Sequence, residues 1–267
     1  MSRRPIAVAA TAPFGADVLE RLAESYEISA LLTRPDAPAG RGRTLAPPPA
    51  KVVAERLGIT VLQSERLEPG LELGADTVVA VAYGLIVPED VLAERLWLNV
   101  HPSLLPRWRG AAPVERAIMA GDTETGVTII TLVKELDAGP VAAQQAFPID
   151  AADDAGVVYA RAAEVAVALL AYVLEEPTFT PQSDAGATYA EKIGAADRRL
   201  DLSLPASQLV DRVRALSPHI GARAELLGRP LTVWRARVGS DGSFEPLEVQ
   251  PEGGRRMEYA AWFRGLR

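Results

Sequence analysis

The chain has 267 residues, 48% hydrophobic and 24% charged, with a formal net charge of −7 and no cysteine. The lack of cysteine excludes disulfides, thiolate nucleophiles and Cys-based zinc sites, and the acidic balance argues against nucleic acid as a partner. The length favours two domains over one. Met1-Ser2-Arg3-Arg4-Pro5 leads into a short apolar strand without the pattern of a secretory signal. No run approaches the roughly 18 apolar residues of a membrane span. A soluble, cytoplasmic chain with no membrane partner is expected, and no obligate protein partner is evident.

The first half alternates short apolar runs with amphipathic stretches, the pattern of a parallel α/β sheet. Ile6–Ala10 reads as a strand and Asp17–Ser25 as the helix after it. Ile28–Thr33 is a second strand, followed by the Pro/Gly/Arg-rich loop Arg34–Pro49 and a helix over Ala50–Leu57. Ile59–Leu62 is a short strand, and the segment from Gln63 to Asp76 leaves little room for a helix. Thr77–Ala82 is apolar throughout, as a central strand covered on both faces should be. Leu96–Val100 is the next strand, Val127–Val133 and Val141–Ile149 form a hairpin, and Asp154–Glu175 is a long alanine-rich helix. Pro177–Ala187 is turn-rich. A catalytic domain over 1–180, a linker over 181–187 and a C-terminal domain over 188–267 are therefore expected. In the last part Ala206–Leu216 reads as a helix, Ala222–Leu227, Leu231–Val238 and Phe244–Val249 as strands, and Met257–Arg264 as a closing helix.

Charge follows the same division. Residues 1–186 carry 15 Lys+Arg against 25 Asp+Glu, and residues 187–267 carry 13 against 10. An acidic body with a basic C-terminal part suits an enzyme with an anion-binding appendage.

Asn99, the sole asparagine, and His101, one of two histidines, stand two residues apart at the end of the Leu96 strand. Residues i and i+2 of a strand share a face, so amide and imidazole project side by side, and Pro102 ends the strand. Such a pair suits a reaction that builds negative charge on oxygen while protons move. Asp137, in the turn Glu135-Leu136-Asp137-Ala138-Gly139-Pro140, is an available third partner. A carboxylate hydrogen-bonded to an imidazole fixes its tautomer and raises its pKa. Spacing alone leaves open whether Asp137 reaches His101 or is an ordinary turn residue.

The segment LNVHPSLLPRWRGAAP, followed downstream by LDAGPV, resembles the folate-dependent formyltransferases. Their hallmark is Asn-x-His running into Ser-Leu-Leu-Pro-x-x-x-Gly, with an Asp in a later Leu-Asp-x-Gly turn. The resemblance implies Asn99, His101 and Asp137 as the catalytic trio, and Ser103, Leu104, Leu105 and Pro106 as a loop against 10-formyltetrahydrofolate. Tyr83, Gly84 and Leu85, in the stretch VVAVAYGLIVP, are similar to the family's pterin-side wall. TRPDAPAGRGRTLAPPPAKVVAERLGI, from Thr33 to Ile59, resembles a loop of the members that formylate initiator methionyl-tRNA, which implies tRNA contacts for Arg41 and Arg43. The segments TYAEKIGAADRRLDLSLPASQLVDRVRALSP and GRPLTVWRARV resemble the family's second, barrel-like domain.

The fold implied is a Rossmann-like open parallel sheet followed by a small, abbreviated β-barrel-like (OB-like) domain. Only Gly-Ser-Asp-Gly-Ser lies between Val238 and Phe244, where family members have further residues, and His219 is incidental. The activity implied is formyl transfer from 10-formyltetrahydrofolate to the amino group of methionine on initiator tRNA. Asn99 and His101 would hold the oxyanion and Asp137 would orient a largely protonated His101, with no metal required. Formylation of an amino-sugar nucleotide and hydrolysis of formyltetrahydrofolate remain open alternatives, since both use the same trio.

Overall fold

A computed structural model describes residues 4–39 and 44–266. Strand β1 (Ile6–Ala10) is buried along its whole length and leads into helix α1 (Pro13–Ala23), which Pro13 starts by supplying a helical φ where no hydrogen-bonding N–H is needed. Strand β2 (Ile28–Thr33) follows, and the long loop after it contains two short antiparallel strands, β3 (Ala37–Ala39) and β4 (Thr44–Ala46). Arg41 and Arg43 lie outside the described residues. Helix α2 (Pro49–Leu57) ends on Gly58, whose left-handed φ of 70° caps it.

Strands β5 (Val61–Gln63) and β6 (Thr77–Val81) come next, with no helix between them, as the short spacing predicts. After the four-residue helix α3 (Glu89–Leu92), strand β7 (Leu96–His101) carries the Asn99/His101 pair and stops before Pro102. The short strand β8 (Arg109–Gly110) and helix α4 (Pro113–Met119) are additions to the sequence reading. Strands β9 (Glu124–Thr131) and β10 (Val141–Pro148) lie side by side, and helix α5 (Ala155–Val173) follows.

In the remainder, β11 (Tyr189–Ala190) precedes helix α6 (Ala206–Leu216). Strands β12 (Ala222–Leu226), β13 (Arg229–Val238) and β14 (Phe244–Pro251) match expectation closely. The closing segment divides into a two-residue strand, β15 (Met257–Glu258), and helix α7 (Tyr259–Arg264).

The main sheet has the order β10-β9-β7-β6-β1-β2-β5. Its pairs β5/β2, β2/β1, β1/β6 and β6/β7 are parallel, and β7/β9 is antiparallel. The chain runs outward from β1 through β2 to β5 and then returns to the other side of β1 with β6. Strand order therefore reverses beside β1, and the carboxyl ends there form the crevice in which open α/β sheets bind ligands.

Helix α5 corrects one expectation. By length and composition alone it is apolar enough to cross a membrane. It nevertheless carries Arg161 and Glu164, and it buries Val158, Ala162, Ala163, Ala166, Leu170 and Val173 inside the protein. Alanine-rich composition raises the hydropathy of a helix whose small residues serve close packing.

Two compact units divide the chain. The first comprises 1–109, 126–145 and 160–187; the second comprises 110–125, 146–159 and 188–267. The last crossing, between Ala187 and Thr188, falls at the end of the expected linker, while 110–125 and 146–159 join the C-terminal residues. In the first unit Leu32, Leu73, Val78, Ala80, Tyr83 and Trp97 pack into one core cluster. In the second, α6 and the antiparallel sheet β12-β13-β14-β15 enclose Leu209, Val213, Val233, Val249 and Trp262.

The abbreviation foreseen after Val238 is a tight hairpin, in which Gly239 N–H donates to Ser243 O at 2.8 Å. The second unit's antiparallel strands form the four-stranded sheet β12-β13-β14-β15, with a bridge between Arg199 and Arg223 beside β12. Arg116 on α4 forms a forked pair with Asp197, at 2.8 and 3.1 Å, and Arg214 on α6 donates to the Asp153 carbonyl at 2.7 Å. These bonds stitch the 110–125 and 146–159 segments into the second unit.

Candidate active site

Strand β7 places Asn99 and His101 on one face at the carboxyl end of the sheet, opposite Ile130 and Thr128 of β9. The turn between β9 and β10 returns Asp137 to both of them. Asn99 Nδ2 donates to Asp137 Oδ1 at 3.1 Å, and His101 Nδ1 lies 3.6 Å from Asp137 Oδ2. His101 is only 4% exposed. Its Nε2 lies 2.8 Å from the Trp108 carbonyl. A carbonyl can only accept, so Nε2 carries a proton and Nδ1 faces the carboxylate. Both ring nitrogens are thus directed at protein groups, whereas the Asn99 amide retains a second N–H beyond the one given to Asp137.

Two residues beside the ring have left-handed backbones. Trp108 has φ 64° and Asp137 has φ 49°, unusual values for side chains of their size. The Asp137 turn is pressed against β9 at Gly139, where an added Cβ would collide with the Thr131 carbonyl oxygen. Thr131 N–H donates to Pro140 O at 3.0 Å, holding the other end of the turn.

The Ser103–Pro106 loop is built around one hydroxyl. Thr128 Oγ1 donates to Ser103 O at 2.6 Å and accepts from Leu105 N–H at 3.1 Å. Gln144 Nε2 donates to Leu105 O at 2.9 Å and to Thr128 Oγ1 at 2.8 Å. Ser103 Oγ donates to Arg107 O at 2.7 Å. Ser103 and Leu105 are buried, so they shape the loop from within, and Leu104 and Pro106 are the partly exposed members. Thr128 and Gln144 belong to no motif in the sequence. Their only local signal is a polar residue at an otherwise apolar strand position.

Across the switch point, Thr11 Oγ1 donates to Tyr83 O at 2.7 Å, tying the end of β1 to the turn after β6. Tyr83 is buried, and burial pushes its phenol up to about 12 despite the opposing influence of Arg34. Gly84 is exposed with φ 79°, Leu85 is half-buried, and Ile86 is 91% exposed. A cavity of about 570 Å³ opens here, lined among others by Thr11, Arg34, Asp36, Pro48 and Leu85. Its wall is fixed by Lys51 Nζ, which donates to Asp36 Oδ1 at 2.8 Å and to Gln63 Oε1 at 2.9 Å. That ammonium, followed by the Gln63 amide, holds the Asp36 carboxyl below the usual range.

The sequence profile of the Formyl transferase family matches residues 4–174, and that of the Formyl transferase C-terminal domain matches 192–246. The chain is 42% identical over 263 residues to the methionyl-tRNA formyltransferase of Alcanivorax borkumensis, covering 93% of this chain and 78% of that one. It is 41% identical over 298 residues to the methionyl-tRNA formyltransferase of Halorhodospira halophila, covering 98% and 96% respectively. Among solved structures it shares its fold with HypX from Aquifex aeolicus in complex with tetrahydrofolic acid, at a TM-score of 0.69 and 20% identity. That match covers 98% of this chain, which spans about half (47%) of HypX. By the extent and level of this similarity, the chain belongs to the formyl transferase family, within its methionyl-tRNA formyltransferase branch.

Proposed function

We propose that the chain transfers the formyl group of 10-formyltetrahydrofolate to the amino group of methionine on initiator tRNA. The observation that carries this reading is the Asn99–Asp137–His101 cluster at the end of β7, in a chain similar to methionyl-tRNA formyltransferases over nearly its full length. The folate lies against the partly exposed Leu104 and Pro106 and the Gly84–Ile86 turn. The acceptor end of the tRNA enters beside the Arg34–Pro49 loop, with Arg41 and Arg43 reaching its phosphates or bases.

The methionine nitrogen attacks the formyl carbon, and the carbonyl electron pair moves onto oxygen. The free N–H of Asn99 meets that oxyanion, because its first N–H is already committed to Asp137. The amine then gives up a proton, the carbon–N10 bond breaks, and N10 gains a proton. Asp137, backed by the His101 ring at Nδ1, carries the proton between these two nitrogens. His101 acts through its contact with Asp137 and its electrostatic field rather than as a second oxyanion donor, since its Nε2–H is held by Trp108. Catalysis is assigned wholly to these side chains, with no metal.

The experiment that tests the reading supplies 10-formyltetrahydrofolate with Met-tRNA, an amino-sugar nucleotide or water alone. Formylmethionyl-tRNA as the dominant product is the expected result. A formylated sugar nucleotide, or free formate at an equal rate, would overturn it.

A further inference from the structure

The segment expected to be an interdomain linker reaches into the site. Thr180 pairs with Val141, through bonds of 2.8 and 2.9 Å, and this lays residues 180–184 alongside the Asp137 turn. Gln182 Nε2 donates to the carbonyl oxygens of both Asp137 and Gly139, each at 3.0 Å. Its Oε1 accepts from Arg109 Nε at 3.0 Å and Nη2 at 2.7 Å, and Arg109 Nη1 pairs with Asp184 at 2.9 Å. Arg109 is 4% exposed.

These contacts converge on His101 from two sides. Arg109 directly follows Trp108, whose carbonyl accepts the His101 Nε2 proton. Gln182 holds the backbone of Asp137, whose carboxylate faces His101 Nδ1. Trp108 and Asp137 are the two left-handed residues flanking the ring, and neither conformation persists unless its surroundings enforce it. One side-chain pair, Arg109 with Gln182, reaches both.

We propose that Gln182 and Arg109 form a clamp that positions Asp137 and Trp108 against His101, making Gln182 a positioning residue for formyl transfer. The inference rests on the reading that Asp137 and His101 act in that reaction. Gln182 has no route to the substrate in this arrangement, because its amide is spent on Asp137 O, Gly139 O and Arg109. Its influence therefore falls on the chemical step and leaves binding intact.

Gln182→Glu is the discriminating variant. Its carboxylate keeps the acceptor for Arg109, so the segment stays docked, but it cannot donate to the turn. Gln182→Met, similar in length and without polar atoms, is the second variant. With the full chain and Met-tRNA as acceptor, both should lower kcat by about tenfold or more, in line with the cost of small misplacements at a reacting centre. KM for either substrate should stay within about twofold of the parent, because the substrate contacts are untouched. Combined with Asp137→Asn, Gln182→Glu should add almost nothing, since both act through one carboxylate.

Full turnover by both Gln182 variants beside a crippled Asp137→Asn would overturn the clamp alone. Losses that multiply in the double variant would do the same. Full turnover by Asp137→Asn would instead overturn the assignment of the trio, and the clamp with it.

Discussion

Asn99 and Asp137, separated by 38 positions in the chain, are joined by a 3.1 Å hydrogen bond between side chains. The bond does two things at once. It aims the amide's remaining N–H away from the carboxylate, and it leaves the second carboxylate oxygen facing His101. A strand end supplies the amide and imidazole, a strained turn supplies the carboxylate, and the antiparallel pairing of β7 with β9 brings the two together.

Removal of the proposed oxyanion donor should show in turnover. Asn99→Ala is expected to lower kcat by about 10²–10³, the usual effect of losing one such group, with tetrahydrofolate affinity nearly unchanged. Asp137→Asn should also cripple turnover. Equilibrium folate binding beside steady-state kinetics checks both. Loss of folate binding in step with kcat would assign Asn99 a structural role.

Gly139 is required by close approach rather than by backbone conformation. Its missing Cβ leaves room for the Thr131 carbonyl, a backbone group that cannot swing aside. Gly139→Ala should cost about 1–3 kcal/mol by overpacking and displace the Asp137 turn. Turnover should then fall further than the folded fraction does, as read by thermal unfolding and kcat on the same preparation.

The Arg34–Pro49 loop should serve the tRNA and not the folate. Arg41→Ala is expected to reduce kcat/KM for Met-tRNA by roughly tenfold or more, the worth of a base or phosphate contact. Lys51→Met, which releases Asp36 and Gln63 at the foot of the loop, should act in the same direction with a smaller effect. Slow hydrolysis of the formyl donor should be insensitive to both. An equal loss in the two assays would reassign the loop.

Asp197 gives the second unit a pH signature. The forked bond from Arg116, then the Gly194 N–H, hold its carboxyl below the ordinary 3.8. A depressed folded value means the stabilisation is complete above 3.8 and is lost as pH falls through the folded value. Asp197→Asn should therefore lower stability at neutral pH, by about 0.5–1 kcal/mol for a partly exposed forked pair. The gap between variant and parent should close in acid. Thermal unfolding over a pH series measures it, and a gap independent of pH would exclude the ion pair as its source.

Much of the fold is local and was legible. Strands β1 and β2 and helix α6 coincide with their sequence boundaries because continuous apolar runs and 3.6-residue periodicity reflect burial directly. Starts and ends were harder to read. Helix α1 begins at Pro13, four residues ahead of its clear periodicity, because proline suits a first helical turn without advertising it. In α5 the charges of Arg161 and Glu164 interrupt the apolar run, which masks a helix that is apolar as a whole.

The site divides along the same line. Asn99 and His101 share a face because alternation along a strand is a property of the backbone, and family resemblance carried Asp137 to them. The remaining contacts depend on how the chain packs. That Thr128 and Gln144 build the Ser103–Pro106 loop follows from the pairing of strands. That Trp108 fixes the His101 tautomer, and that Gln182 of the supposed linker holds the Asp137 turn, follows from how distant loops fold back. Hydrogen bonds between residues 45 apart in sequence leave no periodic trace. They exist because buried donors and acceptors must find partners wherever the packed chain brings them.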